Sequence, residues 1–163
     1  YATADAFLRE GATVILTAST QASADKAVAK LKEKYPESTV AGISPDLSSL
    51  ESVRNAFVIA TAQYGCVDIL VNNAGVSEST PFLNYTEEDF DKVMDLNVKG
   101  VFNCTKAAVK HMEPQGSGVI VSYQPDLSEP GAVKTGEVEL VAGVALKNTL
   151  KAAVLKDIAI AAA

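Results

Sequence analysis

Val67-Asp68-Ile69-Leu70-Val71-Asn72-Asn73-Ala74-Gly75 is a short apolar run that stops abruptly in two amides, an alanine and a glycine. An apolar run of this length reads as a buried strand, predicted over 67–71. Its ending matches the mouth of a doubly wound α/β sheet, where ligands bind at the carboxyl ends of the strands. Small residues at such an end let backbone approach a ligand closely.

Upstream, the pattern alternates between helix and strand. Ala2-Thr3-Ala4-Asp5-Ala6-Phe7-Leu8-Arg9 reads as a helix closed by Gly11. Residues 13–18 read as an apolar strand. Residues 22–35 favour helix, with Ala24, Ala27, Val28 and Leu31 at spacings of three and four. Thr39 to Ile43 is a further candidate strand. Asp46 and Ser48 offer caps for a helix through about Gln63, closed by Gly65.

Downstream, Thr86 with Asp89 is a variant capping box. It opens one long helix to about Met112, broken by Gly116 and Gly118. Val119-Ile120-Val121 is another short strand. Polar, proline-containing sequence runs from Gln124 to Lys134, and the alanine-rich stretch from Glu139 to Ala163 is helical by propensity. Apolar strands alternating with long helices mean βαβ units with helices on both faces. The fold class is α/β: a doubly wound parallel sheet, a Rossmann-like three-layer sandwich, incomplete at both ends. Residues 1–163 read as one partial domain.

A dinucleotide fold opens with a strand, a glycine-rich turn and a helix. This chain opens with the helix. With the strand order 3-2-1-4-5 the absent strand is the central one, and its two neighbours lose ladder partners. Each unpaired buried amide costs on the order of 1–3 kcal/mol. The expectation is a longer parent protein that supplies the strand.

Composition removes several function classes. The chain has 163 residues, 48% of them hydrophobic, and a net charge of −6. That charge opposes nonspecific nucleic-acid binding, which relies on Lys and Arg at phosphates. No apolar run is long enough to span a bilayer. Cys66 and Cys104 form no spaced framework and read as buried thiols in a reducing, cytoplasmic compartment. His111, the only histidine, reads as a polar residue near a helix end, with no partners spaced for zinc.

Three motifs give the chain its resemblance. Asn72-Asn73-Ala74-Gly75, Asp46-Leu47 and Leu96-Asn97-Val98-Lys99-Gly100 together resemble the short-chain dehydrogenase/reductase family, Rossmann-fold oxidoreductases that use NAD or NADP. The likeness runs from Ala4 to about Tyr123 and weakens over the last helix. It implies hydride transfer between a nicotinamide and a carbonyl or secondary alcohol. It also implies assembly as a dimer or tetramer through two long helices.

The resemblance suggests individual roles. Asp46 would contact the adenine ring and Leu47 its edge, although Asp46 also reads as a helix cap. Asn73, Ala74 and Gly75 would line the cofactor, while Asn72 reads as a sheet-stabilising amide. Ser19 and Thr20 end the strand at 13–18, where an acidic residue favours NAD and an arginine favours NADP. They supply neither charge; their hydroxyls lean slightly to NADP. Asn97 would position a water connected to an active lysine, with a plain solvent-facing amide as the alternative.

The family's catalytic serine, tyrosine and lysine are a poorer match. A tyrosine with a pKa of about 10 needs a lysine beside it to work near neutrality. No tyrosine here has a lysine four positions on; Tyr123 is followed there by Leu127. Lys151 best fits the lysine place, which puts Lys147 where the tyrosine belongs. The serine place falls near Pro125, and Ser122 lies three residues early. The expectation is an oxidoreductase parent whose 163-residue portion is inactive alone. The alternative is a catalytically inactive relative that binds a nucleotide or a protein.

Overall fold

The computed structural model describes residues 1–77 and 79–122. Helix α1 spans Ala2–Arg9 and strand β1 spans Val14–Thr17. Ala4 and Leu8, one helical turn apart, are its buried residues. Gly11 takes φ +82°, and its amide donates to the Leu8 carbonyl at 3.0 Å, turning the chain into β1.

Helix α2, Gln21–Lys34, is capped by Thr20, whose hydroxyl accepts from the Ser23 amide. Strand β2, Val40–Ile43, pairs parallel with β1, Val14 opposite Val40 and Thr17 opposite Ile43. Ala4, Leu8, Leu31 and Val40 form the core between these elements, with Val14, Leu16, Val28 and Tyr35 against it. The α2–β2 approach is close: a Cβ on Gly42 would stand 2.9 Å from the Ala24 Cβ.

Helix α3, Leu50–Tyr64, starts at Ser49, not at Asp46 or Ser48, because the Ser49 hydroxyl accepts from the Ser52 amide. Strand β3 covers Ile69–Asn72 and pairs parallel with β4, Val119–Ser122. The expected strand at 67–71 is therefore displaced toward the amides. The Val67 carbonyl accepts from the Gln115 side chain, and Asp68 supplies only a carbonyl to the Val119 amide.

The expected single helix from Thr86 is three segments. Thr86 and Asp89 form a complete capping box on α4, Glu87–Met94. A π-helical turn, Asp95–Gly100, follows, and α5 runs Val101–Gln115. Such π segments insert into longer α-helices, frequently at functional sites. Helix α5 passes the expected stop at Met112, carries Pro114 in its last turn and ends at Gly116 with φ +68°.

Two clusters join α3, α5 and the second strand pair. Val53, Cys104 and Ala107 pack with Leu47, Phe57 and Leu70, and Ala108, Met112 and Ile120 pack with Phe57, Val67, Leu70 and Val109. His111 stacks on Phe57, ring centroids 5.9 Å apart, so it belongs to the α3–α5 contact. Cys104 is buried as expected, but Cys66 is exposed, because it follows the Gly65 cap in a connection outside both clusters.

The described strands form two separate parallel pairs, β1–β2 and β3–β4. No ladder joins β1 to β3 among the described residues. Strand burial is correspondingly incomplete, and Ile69 is 45% exposed. The architecture is parallel α/β. The segments at 124–146 and 139–163 lie outside the described residues.

Candidate functional site

The carboxyl ends of β1, β2 and β3 carry the residues the sequence singles out. After β1, Ser19 and Thr20 lead into α2. The Thr20 hydroxyl both accepts from the Ser23 amide and donates to the Ser23 hydroxyl. Gln21 ties this end to β2, donating to the Gly42 carbonyl at 2.9 Å and accepting from the Ser44 hydroxyl at 3.3 Å.

After β2, Asp46 and Leu47 form a turn stitched by serines. The Asp46 amide donates to the Ser52 hydroxyl at 3.0 Å. Asp46 Oδ1 accepts from the Ser48 amide at 2.9 Å and from its hydroxyl at 2.7 Å. These bonds, the Ser48 hydroxyl first, hold the Asp46 carboxyl below the usual carboxylate range, with the Lys99 charge adding to them. Asp46 is anionic at neutral pH. Both side-chain bonds fall on Oδ1, and the Ser49 backbone amide adds a weaker pull on the carboxylate. Asp46 is exposed and Leu47 half-buried.

After β3, Asn72 turns inward. Its Nδ2 donates to the Thr105 hydroxyl at 3.2 Å and to the Ser122 hydroxyl at 3.5 Å. The Asn73 amide donates back to the Val71 carbonyl at 3.1 Å, turning the chain at once. Asn73, Ala74 and Gly75 are exposed.

The π turn and the start of α5 hold these loops together. Asn97 Oδ1 accepts from the Val76 amide and Nδ2 donates to the Val76 carbonyl, both at 2.8 Å. Its side chain is exposed, and a backbone peptide takes both of its polar ends. A Cβ on Gly75 would stand 3.2 Å from Asn97 Oδ1, so glycine admits this approach. On the same segment, Asn103 Nδ2 donates to the Leu47 carbonyl at 2.8 Å. Helix segment 97–103 thus braces both the 46–47 turn and the 73–76 turn.

Ser52, Val76 and Asn103 are parts of this edge that sequence reasoning missed, and Ser48, read as a helix cap, instead bonds the Asp46 carboxylate. Asn103 had a legible signal: it is polar, yet shares a helical face with Gly100 and Ala107. Cys104 is no candidate nucleophile, since burial pushes its thiol pKa up. Lys147, Lys151, Tyr123 and Pro125 lie outside the described residues.

The side chains present fit a dinucleotide: an exposed carboxylate, a half-buried apolar side chain beside it, and an exposed small-residue turn. The short chain dehydrogenase family profile matches residues 1–133. A 3alpha-hydroxysteroid dehydrogenase of Mediterraneibacter gnavus is 45% identical over 122 residues, 75% of this chain and 49% of that protein. A 2-dehydro-3-deoxy-D-gluconate 5-dehydrogenase of Escherichia coli K12 is 38% identical over 93 residues, 56% of this chain and 37% of that protein. The crystal structure of levodione reductase superposes with a TM-score of 0.70 at 31% identity, covering 74% of this chain and 47% of the other. The chain therefore spans half or less of the length of these relatives. The parallel α/β architecture, the loop motifs at 46–47, 72–75 and 96–100, and these matches together make the chain a member of the short-chain dehydrogenase family of oxidoreductases.

Proposed function

We propose that the protein is an NAD- or NADP-dependent oxidoreductase acting on a small or medium ketone or secondary alcohol. The observation that carries this reading is the bracing of the Asp46–Leu47 and Asn73–Val76 turns by one helix segment. Asp46 would take the adenine amino group on Oδ2, with Leu47 against the ring edge. Asn73, Ala74 and Gly75 would form the wall beside the dinucleotide. Ser19 and Thr20 lie near the ribose end; because the Thr20 hydroxyl already caps α2, Ser19 is the freer donor there. The bound cofactor supplies hydride chemistry, and the protein supplies orientation and electrostatics.

Asn97 serves this site by fixing the Val76 peptide, and with it the cofactor wall. Lys151 is the residue proposed to hold the ribose and assist proton transfer. The sequence has no tyrosine placed before it for the proton itself, so the 163-residue chain is proposed to be inactive alone. The apolar residues Phe90, Met94, Val98 and Phe102, spaced by four and exposed, would carry association into a dimer or tetramer. No described helix is long and apolar enough to cross a membrane. A reducing, cytoplasmic setting suits the two free thiols.

Calorimetric titration with NADH and NADPH tests the reading, followed by loss of nicotinamide absorbance with a panel of ketones. Saturable binding of one dinucleotide supports it. Binding of neither overturns it.

A further inference from the structure

Among the described residues Asn103 is the one buried polar side chain, 3% exposed, and its amide is spent on the Leu47 carbonyl at 2.8 Å. Burying an amide in an apolar helix contact is costly unless it is hydrogen-bonded. Leucine would fill a similar volume there without that cost. The bond reaches across 56 positions in sequence, to the turn that carries Asp46. The other bonds shaping that turn, from Ser48, Ser49 and Ser52, are local to it. One turn before Asn103, Gly100 is buried, and a Cβ there would lie 3.4 Å from the Leu47 Cβ. Gly100 and Asn103 therefore form a seat for Leu47, one by leaving space and the other by fixing its carbonyl.

We propose that Asn103 is a positioning residue for adenine recognition: through the Leu47 carbonyl it sets the turn that aims Asp46 Oδ2 at the adenine amino group. The idea rests on the dinucleotide reading above. Removing the donor frees the Leu47 peptide to rotate and takes the carboxylate off its line. The loss should be specific to ligands that offer an amino group to Asp46.

The test is calorimetric binding of NADH and of its deamino analogue, in which hypoxanthine replaces adenine, to the wild-type chain and to Asn103→Leu. The phosphorylated pair is used where NADPH binds more tightly. Asn103→Ser, too short to reach the carbonyl, serves as a second variant should leucine disturb folding. The wild type should prefer NADH, and either variant should lose roughly five- to tenfold in NADH affinity, the worth of one hydrogen bond. Affinity for the deamino analogue should stay unchanged. Equal losses for both ligands would mean a merely structural role and overturn the inference, as would a variant that keeps the wild-type preference. A wild type that binds neither dinucleotide overturns the dinucleotide reading itself.

Discussion

At the scale of single residues, Asn97 and Asp46 work in different ways. Asn97 satisfies both polar groups of one peptide, at Val76. Its replacement by alanine strands a half-buried N–H and C=O. Asn97→Ala should cost about 1 kcal/mol, read as a lower Tm, and weaken dinucleotide binding as the 73–75 wall loosens. An unchanged Tm would show the two bonds to be dispensable. Asp46 acts through charge. Its folded pKa lies below the unfolded value of about 3.9. The stability it contributes is therefore fully present above that value and is lost as pH falls through the folded pKa. Asp5, beside Lys34, and Asp89, in the capping box, are depressed as well and act in the same direction. Tm should fall as pH drops below about 4, and Asp46→Asn should flatten that fall. A variant with the wild-type acid profile would contradict the assignment.

At the scale of elements, contact between α2 and β2 depends on Gly42. A methyl there meets the Ala24 Cβ at 2.9 Å and the Ala24 carbonyl carbon at 3.1 Å. Gly42→Ala should destabilise by about 1–3 kcal/mol through overpacking, measured by denaturant unfolding. A loss below the error of that measurement would show that the helix can shift away. Most elements were legible from periodicity and caps: α1 to its glycine, α2 from its stripe, α4 from Thr86 and Asp89. The π turn was not, because the apolar pattern runs on through Asp95–Gly100 from Phe90 and Val93 to Val101 and Phe102. What marks it is tertiary: the Val76 peptide drawn onto Asn97 and Leu47 set against Gly100. The start of α3 was also misplaced, since Asp46, Ser48 and Ser49 are all good caps and only geometry chooses Ser49.

At the scale of the whole molecule, the described residues form two parallel strand pairs, one packed with α1 and α2 and the other with α3 and α5. The sequence predicted a sheet interrupted beside its first two surviving neighbours, and β1 and β3 do lack a shared ladder among the described residues. The cofactor edge was partly legible: 46–47 and 72–75 are recognisable as motifs, but the bracing by Asn97 and Asn103 joins residues too far apart in sequence for spacing to reveal it. Charge placed on the exposed stripe tests assembly. Phe102, 57% exposed, lies beside Val98, Thr105 and Lys106. Phe102→Glu should shift sedimentation toward monomer without lowering Tm by more than about 0.5 kcal/mol equivalent, as for a surface change. A wild type that is already monomeric would contradict association through this face. The most direct test of the central claim is a backbone NMR titration of the chain with NADH and NADPH. The account predicts saturable shifts at the amides of Leu47, Ala74, Gly75 and Val76; saturation with those amides unmoved, or no shifts at all, would contradict it.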